Sequence, residues 1–505
     1  MPAITNVKIN LEGKIITIPM GTTLNQLLVH RDPALPTVVG AVVNNVLQEL
    51  NYPIYCPANI SWLDYNHEWG GRIYKRSLSL VLYAACSSLY PNYQLKILHS
   101  LRNNYYCELE GEPKITASDI NNIKTAMTGL IAQNLPIEKI FLSQNDAQRF
   151  YKLWQMEDKA SLIAMASQNV IPFYRLNEYC QYFFGEMVPS TGLLKDFKLL
   201  PFDNGFIMQV PSAYIKNNPD NAFDHPKKLQ AILMAYKDWR NLMGIENVND
   251  LNDYITSGNL NKLVLMAESM HQRNLLKITD YIYKHYPKIK LILISTDNYF
   301  VDRKATPLDE NGDYDFESIK ATDTALFNRQ INALLAGDEV EIPIYDFKTG
   351  TRKNKGMPVK LEEKNILLIE GIHGINPELS KFIPNESRRS IYVSCLTQLS
   401  LDDYTPISSS DNREIRRLVR DMRTRGYSAE DTLLRWLSVR RGEEKNIFPY
   451  QENADFFFNS SLIYELPILK PLAETALQKI ETNSPAYPEA RRLLRNIRYF
   501  LPATS

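Results

Sequence analysis

One apolar run ending in a carboxylate constrains this chain more than any other stretch. Residues 289–300 read IKLILISTDNYF: a short β-branched-biased apolar run, then Ser-Thr-Asp-Asn, then two aromatics. A run of this length bounded by polar turn residues reads as a buried strand of a parallel sheet. Open α/β sheets place their ligands just beyond the carboxyl ends of such strands. Asp297 sits there, which makes its carboxylate the first candidate for chemistry.

The rest of the chain has to supply a setting for that strand. With 505 residues it is too long for one core, so three or four domains are expected. The formal net charge is zero, so no global basic field argues for nucleic acid, although a local patch stays open. Five cysteines, Cys56, Cys86, Cys107, Cys180 and Cys395, are scattered with no C-x-x-C pair. That pattern suits reduced thiols in a cytoplasmic protein. The first residues, MPAITNVKINLEG, carry no apolar signal core, and no run approaches the roughly 18 apolar residues of a membrane helix. A soluble protein without a membrane partner is expected.

Residues 1–62 read as a small unit. VKINLEGKIITIP alternates around Glu12-Gly13 as a hairpin, Thr22 and Thr23 can cap the short helix LNQLLVH, and TVVGAVVNNVLQEL adds strand, turn and strand. The order β-β-α-β-β with GTTLNQLL resembles the TGS domain, a ubiquitin-like β-grasp module. The resemblance implies a packing or regulatory role, with RNA contact as the alternative. Residues 63–225 combine the helical RIYKRSLSLVLYAACSSLY, the hairpin-like YQLKILHSLRNNYYCELEG and the later YCQYFFGEMVPSTG. This block resembles the α+β editing domain of threonyl-tRNA synthetases, whose site pairs a His-x-x-x-His helix with a Cys-x-Gly-x-His segment. The matching positions here are Arg76, Leu80, Phe183, Gly185 and Met187. The four functional side chains are replaced, so neither editing nor a metal is expected there. His99 reads as structural. Residues 226–288 read as a helical connector, starting near Pro226 and broken at Gly244.

From 289 to 505 the motifs STDNYFVDR, DENGDYDFESIKATD, EIPIYDFKTGTRK, NILLIEGIHGIN, RRLVRDMRTRG and SVRRGEEKNIFPYQENADFFFNS follow in order. Together they resemble the uridine kinase and phosphoribulokinase family, and more closely its bacterial members with TGS and editing-like domains in front. The resemblance implies transfer of the ATP γ-phosphate to a nucleoside 5′-hydroxyl with Mg²⁺. It implies Asp297 as the catalytic base, and Glu370 at the mouth of the sheet beside Mg²⁺ and phosphates. Phe316 and Glu317 match residues around the sugar and base, and Tyr345, Asp346 and Phe347 match a nucleoside-contacting turn. Where eukaryotic uridine kinases carry a histidine a few residues later, this chain has Gly350. Arg417, Arg420 and Arg425 match the lid over the triphosphate, where guanidinium forks suit phosphate oxygens. Read without the family, the same arginines make a solvated helix face paired with Glu414 and Asp421. SVRRGEEKNIFPYQ reads as a loop near that lid.

One part of the pattern is missing. A kinase of this class cradles its nucleotide in G-x-x-x-x-G-K-S/T between the first strand and first helix. The only Gly-Lys pair here, Gly13-Lys14, lies in the N-terminal hairpin and precedes isoleucine. LILI runs straight into STDNYF, although a βαβ crossover needs about 30 residues. The expected fold is therefore multi-domain α/β, its kinase-like parallel sheet flanked by helices but lacking the first βαβ crossover. Either the gene has lost this P-loop (Walker A) segment or the sequence as read lacks it. Two functions follow: a nucleoside (uridine) kinase-like phosphotransferase whose ATP binding is impaired, or a non-catalytic pseudokinase binding RNA or a protein partner through its N-terminal domains. The nucleoside identity and an oligomeric state stay open.

Overall fold

Glu12 and Gly13, both at positive φ (+48° and +84°), close a tight turn between β1 (Asn6–Leu11) and β2 (Lys14–Pro19). Thr23 then caps α1 (Leu24–Leu27) in a reciprocal capping box with Gln26, satisfying two backbone donors that a helix start leaves open. With β3 (Val38–Val43), β4 (Val46–Gln48) and β5 (Asn59–Asp64) these strands form one sheet in the order β2-β1-β5-β3-β4, with β1 parallel to β5. Ile9, Leu24, Ala41 and Ile60 fill its core. This is the β-grasp arrangement.

The computed structural model describes residues 6–503 apart from 34, 36, 102–103, 155, 167, 212–225, 286–289 and 310–311. Ile289 and the expected boundaries at 225 and 288 lie outside the described residues.

The long helix α2 (Glu68–Leu89) buries Ile73, Tyr74, Leu78, Val81 and Ala85 at helical spacing. It shares its core with α3 (Ala117–Ala132) and with β6 (Gln94–Leu101) and β7 (Asn104–Glu110). β8 (Glu138–Ser143), β9 (Val170–Leu176) and β10 (Tyr179–Tyr182) make a three-stranded antiparallel sheet. β11 (Lys198–Phe202) and β12 (Gly205–Gln209) complete the four-stranded order β11-β12-β7-β6. His99 is buried with Nε2 3.2 Å from Gln230 Oε1, and burial pushes its pKa down to about 4. Three helices follow: α4 (Lys227–Leu242), α5 (Val248–Thr256) and α6 (Leu260–His285).

The C-terminal part holds β13 (Lys290–Ser295), α7 (Thr324–Leu335), β14 (Asn365–Glu370), β15 (Ile391–Ser394), α8 (Ser409–Arg420), α9 (Ala429–Asn446), β16 (Phe456–Asn459), α10 (Glu465–Leu477) and α11 (Tyr487–Ile497). β13 pairs with β14 in parallel, from Lys290↔Asn365 to Ser295↔Glu370. β15 pairs with β16 in parallel. The two pairs share no hydrogen bond among the described residues, so the parallel sheet is split in two.

This split corrects the expectation of a fully buried strand at 290–295. Ile294 is 1% exposed and packs with Tyr299, Phe327 and Ile331, but Leu293 is 59% exposed. Leu291, Leu368 and Val393 are also exposed. Strands of a complete parallel sheet are covered on both faces. Here the face bearing Leu291, Leu293 and Leu368 is left uncovered among the described residues. A second correction concerns SVRRGEEKN, expected as a loop. It continues α9 to Asn446, started at Ser428 by a capping box with Asp431.

The largest buried cluster joins residues far apart in the chain, from Ala147 to Phe500. Tyr182 Oη lies 2.9 Å from Tyr499 Oη, and Asn252 Nδ2 donates to the Tyr499 carbonyl at 2.8 Å. The last helices thus close the core of the editing-like region. No helix among the described residues is long and apolar enough to cross a membrane.

Candidate active site

Parallel pairing brings Ser295 level with Glu370, so the two strands end together. Gly371 follows at φ +156°, and any Cβ there would collide with Thr296 Oγ1. That close approach sets the turn after β14 against the turn carrying Asp297. The Asp297 carboxyl is pushed above the ordinary aspartate range, chiefly by burial and then by the Glu370 charge, with Arg425 acting in the opposite direction. Glu370 itself is exposed at the strand end.

Both carboxylates line an open cleft of about 2900 Å³ between the two halves of the split sheet. Along one wall, β14 and β15 present their edges. On another stand Phe300, Tyr345 and Phe347, whose ring centroids lie 5.2–6.3 Å apart. Phe316 and Glu317 also line the cleft. Glu317 sits where Gly442 of α9 leaves no room for a side chain of its own, and Asn446 Nδ2 donates to the Glu317 carbonyl at 2.9 Å. Burial pushes the Glu317 carboxyl up to about 7, against the pull of Arg417 at 4.0 Å.

Asp346 does not line this cleft. Its Oδ1 accepts the Lys348 and Thr349 backbone N–H groups at 2.9 and 3.3 Å, and these bonds hold its carboxyl below the usual range. The residue shapes the turn that presents Tyr345 and Phe347. Gly350, at φ +73°, closes the same turn against the Arg303 guanidinium, and Arg303 Nη2 donates to the Phe347 carbonyl at 2.7 Å.

The arginines converge from the far side. α8 ends in a wider π-type turn over Asp421–Arg425, a local distortion frequent at functional sites. Arg417, Arg420 and Arg425 all reach the buried Asp421 carboxylate, at 3.3, 3.0 and 3.5 Å. One carboxylate cannot neutralise three guanidinium groups, so this wall of the cleft keeps positive charge. Glu414, the other partner expected for these arginines, instead sits buried beside Arg492 at 3.4 Å. Arg303 and Arg441 also line the cleft. Arg303 stands inside the STDNYFVDR motif, which was a usable signal. Arg441, paired with Asp309 at 2.8 Å, was hidden in a segment read as a loop.

The site thus joins a strand-end carboxylate pair, an aromatic wall and a cationic wall across one parallel sheet. Residues 284–462 match the phosphoribulokinase / uridine kinase family model. The matched block contains the candidate site, and the region in front is similar to other proteins. A threonine–tRNA ligase from Clostridium kluyveri is 27% identical over 282 residues, 55% of this chain and 40% of that enzyme. The one from Desulforamulus reducens is 27% identical over 218 residues, 43% of this chain and 33% of the enzyme. The chain therefore spans well under half the length of these relatives. Among solved structures, the YGR205w protein shows 12% identity and a TM-score of 0.23, covering 37% of this chain and 75% of that one. The chain is thus a multi-domain α/β protein with a kinase-like C-terminal block behind a threonyl-tRNA-synthetase-like N-terminal region.

Of the editing-like positions, Leu80, Phe183 and Met187 are buried in an apolar core. Arg76 and Gly185 meet, with Arg76 Nη1 donating to the neighbouring Glu186 carbonyl at 2.6 Å. No imidazole or thiol stands among these five positions.

Proposed function

We propose that this chain is a nucleoside kinase-like phosphotransferase that keeps the acceptor half of its site and holds ATP poorly. The observation that carries the reading is Asp297, part-buried at the end of β13 beside Glu370 and across a cleft from Arg417, Arg420 and Arg425. A carboxylate with a raised pKa is a better proton acceptor than an ordinary one. Asp297 would take the proton of a nucleoside 5′-hydroxyl as the oxygen attacks phosphorus. The aromatic wall of Phe300, Tyr345 and Phe347 would hold the base and sugar, with Phe316 and Glu317 closing the other side. Asp346 would act through the turn it shapes.

A carboxylate at a strand mouth suits Mg²⁺, which is usually held by one or two carboxylates together with substrate phosphates. Glu370 would be that ligand, leaving Asp297 to take the proton, and bound Mg²⁺ would supply charge neutralisation on the phosphates. The lid arginines would hold phosphate oxygens by forked hydrogen bonds. What would hold the β-phosphate is a backbone cradle at a helix start, and β13 runs directly into the Asp297 turn without one. We take residues 1–62, 63–225, 226–288 and 289–505 as the working units, and a cytoplasmic protein as their setting.

The test is steady-state phosphorylation of uridine and other nucleosides by the purified chain with Mg-ATP. Turnover far below the ~1–100 s⁻¹ common to kinases is expected, together with saturable nucleoside binding in the absence of ATP. Ordinary turnover would overturn the impairment, and absence of nucleoside binding would overturn the kinase-like reading. A second reading, a binding protein without catalysis, is favoured by the width of the cleft. It predicts that Asp297→Asn leaves nucleoside binding and every measurable activity unchanged.

A further inference from the structure

A second cavity, of about 290 Å³, lies away from the split sheet. Its walls come from the turn between β3 and β4, from β8 and β9, from the segment around Tyr182–Glu186, and from helix α11 and the turn after it. Asn45 Nδ2 ties the first to the last by donating to the carbonyls of Thr482 and Asn483, at 3.3 and 2.8 Å.

The lining is unbalanced in charge. Lys139, Arg491, Arg495 and Arg498 face it, and Glu186 is the only acid among the lining residues. Arg491, Arg495 and Arg498 follow one another at four- and three-residue spacing, so they share one side of α11 and of the residue that caps its end. Arg492, Leu493 and Ile497 occupy the buried face. Like charges at such spacing oppose helix formation, so this stripe is unfavourable unless something answers it. Arg495 has Glu186 at 3.4 Å, and Lys139 has Glu49 at 3.2 Å. Arg491 and Arg498 have no carboxylate partner among the described residues, and lie about the rings of Tyr487 and Tyr499, at 6.0 and 5.9 Å.

Gly185 sharpens the point. A Cβ there would stand 2.7 Å from Arg76 Cζ and 2.9 Å from Arg495 Nη1. Two guanidinium groups thus converge on one residue whose lack of a side chain makes room for both. Each opposes the charge of the other, and Glu186 is the carboxylate beside them. This is cationic charge gathered at a concave site with aromatic walls, Tyr182, Phe183 and Tyr487.

We infer that this cavity binds a small phosphate monoester of nucleotide size, and that the ligand bridges the β-grasp unit, the editing-like region and the C-terminal helix. Guanidinium forks match phosphate oxygens in pairs, and the rings would receive the organic part of the ester. The proposal does not depend on the kinase-like reading, because it shares no residue with the cleft.

The experiment is calorimetric titration of the full-length chain with adenosine 5′-monophosphate, inorganic phosphate and adenosine. Saturable binding of the monophosphate, weaker binding of phosphate and no adenosine binding that depends on the α11 arginines are expected. The double substitution Arg491→Gln/Arg498→Gln should weaken monophosphate binding at least tenfold, while Arg329→Gln, exposed on α7 and outside both cavities, leaves it unchanged. If the double variant fails to fold, Arg491→Gln alone is read, since Arg491 is exposed. The inference is overturned by absence of monophosphate binding, by adenosine binding that the α11 variants weaken equally, or by loss with Arg425→Gln but not with the α11 variants. Binding of an RNA oligonucleotide with no binding of free monophosphate would also overturn it.

Discussion

Gly371 shows how much one missing side chain can decide. Its backbone passes against Thr296 Oγ1, where a Cβ would collide. Gly371→Ala should therefore push the Asp297 turn away from β14 and cost about 1–3 kcal/mol, the usual range for overpacking. Chemical denaturation checks this, with nucleoside binding followed in parallel. Glu317 makes a pH prediction. Its folded pKa is about 7 against 4.5 for a free glutamate, so the folded state holds more protons between those values. Stability relative to Glu317→Gln should then fall as pH rises from about 4.5 to 7 and stay level above, by at most about 3 kcal/mol. Thermal melts of both proteins at pH 5, 6, 7 and 8 would show it; parallel curves would refute it. Residue roles that depend on short spans were legible in the sequence. The Glu12-Gly13 turn and the Thr23 cap are local hydrogen-bonding choices made by neighbouring residues. The fate of Glu414 was not legible, because Arg492 stands 78 residues away.

At the scale of elements, β13 separates what pattern reveals from what it conceals. An apolar run between polar turns does identify a parallel strand, since backbone pairing needs only extended residues. It cannot reveal that one face is bare, because burial depends on a neighbouring strand and helix supplied from elsewhere. The two faces should answer mutation differently. Ile294→Ala should cost about 2–5 kcal/mol as a core truncation, whereas Leu293→Thr should change stability by no more than about 0.5 kcal/mol. Similar costs at both positions would mean that the exposed face is covered in solution. The α9 segment escaped the sequence reading for a related reason. Gly442 resembles a loop signal, yet it is there because Glu317 packs against the helix backbone.

Across the whole molecule, the buried cluster from Ala147 to Phe500 ties the middle of the chain to its last helices. Domain-by-domain resemblance hides this, because each unit looks complete in its own family's terms. Removing residues 463–505 should then expose Phe173, Tyr182 and Phe184 as well as the kinase-like core. We expect such a truncation to lose cooperative unfolding in both regions, followed by near-ultraviolet circular dichroism and limited proteolysis. A truncated chain that keeps a sharp transition would show that the editing-like region folds without α10 and α11.

The split sheet has a practical consequence. β14 and β15 turn unpaired parallel edges toward one cleft, and together they form a mould for a strand the chain does not contain. Extended edges of this kind accept strands from other molecules. A synthetic peptide carrying one apolar strand followed by a glycine-rich phosphate loop and a short helix should seat there in trans. The two polypeptides would then behave as halves of a complementation pair, with tight ATP binding in the cleft appearing only when both are present.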